Sequence, residues 1–215
     1  MNYIAERRTE EKERRRAEIA DAAERLYADT GWDAVTMDQV AKSARLSRAL
    51  VYVYFRDKEE LMFAIGERAM RVLRERFTEA AARHAKGMDK VHAIGRAYMA
   101  YAHEFPHYFD VCTRFQAHAV GDDAGSNENA CAQAGEAAIA VVVEAISTGI
   151  ADGSIRANIG PPIKVAVSMW AFTHGIIQLA ISKGADLARL GISAADFSEF
   201  AFGLITDMAV PRTGP

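Results

Sequence analysis

Apolar residues recur along this 215-residue chain at three- and four-residue steps, and no stretch alternates apolar with polar as a half-buried strand would. Ile19, Ala22, Ala23, Leu26 and Tyr27 form one such stripe, which Gly31 terminates as a C-terminal stop signal. Thr36, with Gln39 three places on, reads as a capping box opening a short helix that carries Val40, Ala41 and Ala44 inward. Ala44-Arg45-Leu46 leaves room only for a turn, and Ser47 caps a second short helix with Val51 and Phe55 on its apolar side. Asp57, followed by Glu60, starts a long helix from Asp57 to about Lys86, through Leu61, Ile65, Met70, Leu73 and Phe77. Some 28 residues at 1.5 Å each give it a length of about 42 Å, enough to run from one module into another.

Beyond Gly87 the same period continues. Tyr98, Tyr101, Ala102, Phe105, Phe109 and Cys112 define a helical region broken at Pro106, and the polar stretch Gly121–Asn129 reads as a surface loop. Ala130–Ala151 is a further helix, Pro161-Pro162 suits the first turn of another reaching about Lys183, and Ser193 with Asp196 caps a last one through Phe197, Phe200, Leu204 and Met208. The expected fold is all-α, with about nine helices. A three-helix, helix-turn-helix domain at residues 1–60 precedes a larger helical domain at residues 61–215.

Two short helices with a tight turn and an outward basic and aromatic face make a DNA-reading element the first hypothesis. Net charge is −3, but residues 1–86 carry 18 Lys+Arg against 16 Asp+Glu, and residues 87–215 carry 8 against 13. A mildly basic front and an acidic rear suit a chain that meets phosphates at one end. The charge run before Ile19 is either a solvated helical extension or an arm whose Arg7, Arg8 and Arg14–Arg16 reach DNA. Cys112 and Cys131 are too few for a disulfide framework and lack zinc-site spacing, which favours a reducing, cytoplasmic setting. The charged first twenty residues do not read as a signal peptide, and polar residues interrupt the longest apolar runs, so no membrane span is expected.

The helix through Val165, Met169, Trp170, Phe172, Ile176, Ile177, Leu179 and Ile181 is apolar nearly all round and must be covered on several sides. With Phe197, Phe200, Phe202, Leu204 and Ile205 on the following helix, it suggests a homodimer interface of two helices per subunit; a monomer with a large core is the other reading. His103-Glu104-Phe105-Pro106-His107 spells the zinc-protease motif H-E-x-x-H, but Pro106 disfavours the unbroken helical turn that both imidazoles would need. No P-loop, dinucleotide fingerprint or nucleophile elbow is present, and no catalytic residue, cofactor or metal site is expected.

Residues 31–61 resemble the N-terminal DNA-binding domain of TetR-type transcriptional regulators. The resemblance lies in Gly31, Thr36, Val40-Ala41, Leu46-Ser47, Tyr52, Tyr54-Phe55 and Lys58-Glu59-Glu60-Leu61, in that order. It implies that Thr36 holds a phosphate of a double-stranded DNA operator. Ser47, Arg48, Ala49 and Leu50 would lie against base edges, Tyr52 and Tyr54 would reach the backbone, and Lys58 would contact phosphate. Arg45 stands where the family usually has glycine, and Leu50 and Val53 also depart from the common pattern, which leaves the operator sequence open. The resemblance further implies a small-molecule effector in the second domain. Tyr98, Tyr101, Phe105 and Phe115, with Trp170 and His174, are the candidate effector-binding residues; a plain aromatic core is the alternative. The expectation is therefore a homodimeric, ligand-responsive repressor. A helical interaction or ligand-binding module with a vestigial helix-turn-helix is the alternative.

Overall fold

The computed structural model describes residues 3–114 and 126–211, and among these residues it contains ten α-helices and no strand. The chain separates into two compact units. The first comprises residues 1–69 and 105–133, the second residues 70–104 and 134–215.

In the first unit, α1 (Tyr3–Thr30) is a single 28-residue helix, so the charge run and the apolar stripe form one continuous element. Its first part is exposed and held by local pairs such as Arg14–Glu11 and Arg15–Glu18, whereas Ile19, Ala22 and Ala23 are completely buried. A 3-10 turn at Trp32–Ala34, not anticipated from the sequence, follows Gly31, whose φ of 77° lies in the left-handed region that glycine adopts freely. α2 (Met37–Ser43) and α3 (Arg48–Tyr54) then pack on α1 through Val40, Ala41, Val51 and Phe55. α4 (Lys58–Ala82) contributes buried Leu61 and Ile65 here and runs on into residues of the second unit, ending four residues before the expected Lys86.

α6 (Pro106–Arg114) also belongs to the first unit, despite its distance in sequence. Tyr27 Oη donates to Asp110 Oδ2 at 2.7 Å, Tyr108 Oη donates to Glu24 Oε1 at 2.5 Å, and Arg114 reaches Asp33 at 2.9 Å. Burial works against the Glu24 carboxylate, but hydrogen bonds from His107, Tyr108 and Arg68 outweigh it and hold the group at a pKa of about 2.

The second unit contains the rear of α4, α5 (Gly87–Glu104), the rear of α7 (Asn127–Asp152), α8 (Pro162–Ser182), α9 (Gly184–Arg189) and α10 (Ala194–Asp207). Gly87, read as the end of a helix, instead begins α5. Its amide donates to Asp152 Oδ2 at 2.7 Å and the amide of Met88 to Ser154 Oγ at 3.0 Å, so the end of α7 caps the start of α5. The two helices meet closely at this point: a Cβ on Gly87 would lie 1.9 Å from the Gly149 amide nitrogen. Of the stretch expected as a loop, residues 121–125 lie outside the described residues and Asn127–Asn129 are the first turn of α7. By length and composition α7 and α8 are apolar enough to cross a bilayer, with mean hydropathy of 1.5 and 1.4, a reading the interrupted apolar runs did not suggest. In this fold both pack against other helices.

Candidate nucleic-acid interface and effector cavity

The capping box of α2 is present as spelled. The Gln39 amide donates to Thr36 Oγ1 at 3.3 Å, and the Thr36 amide donates to Gln39 Oε1 at 2.8 Å. At the next junction the Leu50 amide donates to Ser47 Oγ at 3.2 Å, which starts α3 at Arg48. Between them, the Leu46 amide bonds to the Ala41 carbonyl at 2.9 Å and the Arg45 amide to the Lys42 carbonyl at 3.1 Å. This is the Schellman pattern, which places Arg45 in the left-handed position at φ 57°.

Because Val51 and Phe55 are buried, the rest of α3 is turned outward. Thr36, Ser47, Arg48, Ala49 and Tyr52 are exposed, and Leu50 and Tyr54 are half-buried. Val53, the departure noted in the sequence, is 74% exposed. Arg48 lies 3.1 Å from Asp38 and stacks over the Tyr52 ring at 5.5 Å. An exposed, solvent-screened pair of this kind is weak, so a guanine edge or a phosphate can draw the guanidinium away. Lys58 sits differently. Its Nζ donates to the Trp32 carbonyl at 2.5 Å and lies 4.9 Å over the Trp32 ring, and partial burial lowers its pKa against the pull of Asp33.

Arg16, in the charge run ahead of Ile19, packs partly buried against the end of α3. Its guanidinium donates to the Tyr54 carbonyl at 3.0 Å and to Asn127 Oδ1 at 2.6 Å, and it covers the Phe55 ring at 4.8 Å. It thus caps the C-terminal end of α3, where helix carbonyls lack partners. Nothing in the local pattern separates Arg16 from Arg14 and Arg15 except its place one turn before the buried Ile19.

In the second unit, Tyr98, Trp170 and His174 come together. Trp170 Nε1 donates to Tyr98 Oη at 3.3 Å, and Tyr98 Oη is 2.7 Å from His174 Nδ1. Burial lowers the His174 pKa. Tyr98, Trp170, Phe77, Met169, Thr173 and Phe202 are among the fourteen residues around a cavity of about 40 Å³, none of which is Asp, Glu, Lys or Arg. This is room for only a few waters, so a ligand of ordinary size would have to push the lining apart. Tyr101 is buried beside Tyr98 with ring centroids 6.4 Å apart and does not line the cavity. Phe105 is in the first unit, stacked on Tyr108 at 5.7 Å, and Phe115 lies outside the described residues.

The H-E-x-x-H stretch is split between two helices, with His103 in α5 and His107 in α6. His107 Nε2 lies 3.8 Å from Glu24, and among the described residues no group of three His, Cys, Asp or Glu is placed to hold a metal. Burial pushes both the Cys112 and Cys131 thiols up to about 12, far from a reactive thiolate.

Comparison with known proteins adds to this geometry. Residues 19–65 match the family of bacterial regulatory proteins described as the tetR family, and residues 91–201 match the tetracyclin repressor-like C-terminal domain. Over 82 residues the chain is 37% identical to the HTH-type transcriptional regulator BetI of Rhizobium meliloti (strain 1021), covering 38% of this chain and 40% of that one. The curated relatives it matches are covered over 22% to 40% of their own length. A solved structure of a protein of unknown function from Rhodococcus sp. RHA1 superposes with a TM-score of 0.73 at 22% identity, over 92% of this chain and 96% of that one. The structure of AibR in complex with isovaleryl coenzyme A and operator DNA superposes with a TM-score of 0.65 at 19% identity, over 88% and 97%. At these identities the likeness is one of fold.

Proposed function

Since this chain belongs to the tetR family of bacterial regulatory proteins, we propose that it is a cytoplasmic transcriptional repressor that leaves its DNA operator on binding a small, largely apolar effector. Residues 1–60 read the operator; residues 61–215 bind the effector and pair two subunits. The observation that carries this reading is the outward face of α3. Its N-terminus is capped by Ser47 and its inner side is fixed by Val51 and Phe55, which leaves Arg48, Ala49 and Tyr52 for base edges and phosphates beside Thr36. The AibR complex, with both an acyl thioester and operator DNA, supports the pairing of functions. No catalytic role is assigned to any residue.

A homodimer supplies the second recognition helix. Phe200 and Leu204 of α10 and Met208, its C-cap, stand at i, i+4 and i+8 with exposures of 70%, 54% and 63%, and Phe172 and Leu179 of α8 are exposed as well. A stripe this apolar on a water-facing surface calls for a partner, and a second copy covers it by two-fold symmetry. The two copies of α3 would then enter successive major grooves about 34–36 Å apart. The effector acts by binding one arrangement of the dimer better than another, and α4, which contributes residues to both units, is one covalent route between cavity and DNA-reading face.

Selection of bound duplexes from random DNA, followed by titration of variants, tests the DNA assignment. Tyr52→Ala and Thr36→Ala weaken binding on every selected duplex by about tenfold, whereas Arg48→Ala changes base preference at one position, at a cost of about 1–3 kcal/mol. Wild-type affinity and preference in all three variants would rule this face out as the reader and favour an interaction module with an idle helix-turn-helix.

A further inference from the structure

Beside the cavity of the second unit lies a groove of about 360 Å³ whose chemistry is different. Met169 and Ile205 line both spaces, so these apolar side chains form part of the wall between them. The cavity has no charged lining, but the groove has Arg156 and Lys164.

Arg156 follows α7 in the connection to α8. Its amide donates to the Ala209 carbonyl at 3.0 Å, which fixes the backbone against the end of α10. Its Nε is buried and has no hydrogen-bond partner. Among the described residues, no carboxylate forms an ion pair with Arg156 or Lys164. The groove also includes Gly160 and Pro161 at the start of α8, where Pro161 offers no side-chain cap and the first turn holds no acidic residue. The free amides at a helix start carry partial positive charge. Three sources of positive potential therefore meet without an ion-pair partner for either side chain among the described residues, and a buried guanidinium N–H without an acceptor is costly to leave that way.

We propose that the groove holds the anionic head of the effector. The effector is then an amphipathic anion, with an apolar chain or ring lying past Met169 and Ile205 in the cavity and a carboxylate or phosphate against Arg156, Lys164 and the start of α8. This assignment rests on the effector cavity proposed above and adds the part of the ligand that the cavity cannot accommodate. An uncharged cavity rejects the head, and the groove, two of whose lining residues (Phe172 and Met208) belong to the face assigned above to the second copy, is the charged one of the two spaces, so neither suffices alone. Both the head and the body gain when the ligand spans the wall.

Calorimetric titration of the full-length chain with decanol, decanoate, decyl phosphate and inorganic phosphate tests the proposal. Decanoate or decyl phosphate is expected to bind at least about tenfold tighter than decanol, as a charge-assisted head contact requires. The tighter of the two names the head group. Arg156→Gln and Lys164→Gln should each reduce that preference, and the double variant should abolish it. All variants should bind decanol within about twofold of wild type, which shows the fold and cavity intact. Anions that bind no tighter than decanol, a preference that survives in the double variant, or inorganic phosphate binding as well as decyl phosphate would each overturn the proposal while leaving the cavity standing. Failure of every chain-bearing probe, decanol included, would remove the cavity and the head-group site together.

Discussion

Arg45→Gly should make this protein more stable. Arg45 is the one non-glycine residue with positive φ among the described residues, at 57°, and it occupies the turn that sets α3 against α2. For an L-residue the left-handed region costs roughly 1–2 kcal/mol, because Cβ crowds the following carbonyl. Glycine avoids that cost but gives up about 0.5–1 kcal/mol of extra chain entropy on folding. The difference leaves a net gain of about 0.5–1 kcal/mol. For a chain of this size that is a rise of roughly 1–4 °C in the midpoint of the transition that unfolds the first unit. Arg45→Ala is the control, since alanine removes the charge and keeps the Cβ. Thermal and urea unfolding should therefore separate Arg45→Gly from Arg45→Ala, with alanine within about 0.5 kcal/mol of wild type. DNA titration should give the opposite grouping. If the exposed Arg45 meets a phosphate, both variants lose the same affinity and the same increment of salt dependence, a slope change of about one. A glycine variant no more stable than the alanine variant would show that the turn carries no conformational strain and that the Schellman geometry tolerates arginine freely.

Leu204→Asp places a charge in the middle of the exposed α10 stripe, so light scattering should find a dimer for the wild-type chain and a monomer for the variant; a variant that remains dimeric would place the interface elsewhere. For pH, the relevant group is His174, whose pKa burial lowers from its ordinary value of about 6.5. Below that value the unfolded chain takes up a proton that the partly buried folded imidazole resists. Stability is therefore full above about pH 6.5 and falls as pH drops toward the lowered folded value. Urea midpoints measured between pH 7.5 and 5.5 should fall, and His174→Gln should flatten the slope without abolishing it, since burial lowers His92 in the same direction. An unchanged slope in that variant would sever His174 from the pH response.

The elements that depend on nearest neighbours in sequence were legible in it. Thr36 with Gln39, Ser47 ahead of α3 and Pro161-Pro162 ahead of α8 each start a helix through local hydrogen bonds or fixed dihedrals, so their spelling suffices. Arg45 was legible only through the resemblance, as a residue standing where the family usually has glycine. The connections that join distant segments were not. Arg16 with Asn127, Arg114 with Asp33, and Tyr98 with His174 lie 111, 81 and 76 residues apart, and no periodicity encodes which charged or aromatic residue of a stripe finds which partner. The site residues divide along that line. Arg48 and Tyr52 keep the exposure that helical period alone gives them, because α3 is short and its inner face is fixed. Lys58 does not, because Trp32, 26 residues upstream, presents both a carbonyl and a ring face to the same ammonium. A phosphate near Lys58 has to replace that carbonyl, so the net gain from the contact is the difference between two hydrogen bonds to a cation, not the whole of one. Lys58→Ala should accordingly weaken DNA binding less than loss of an unengaged lysine would, and part of its effect should appear as a loosened Trp32 turn.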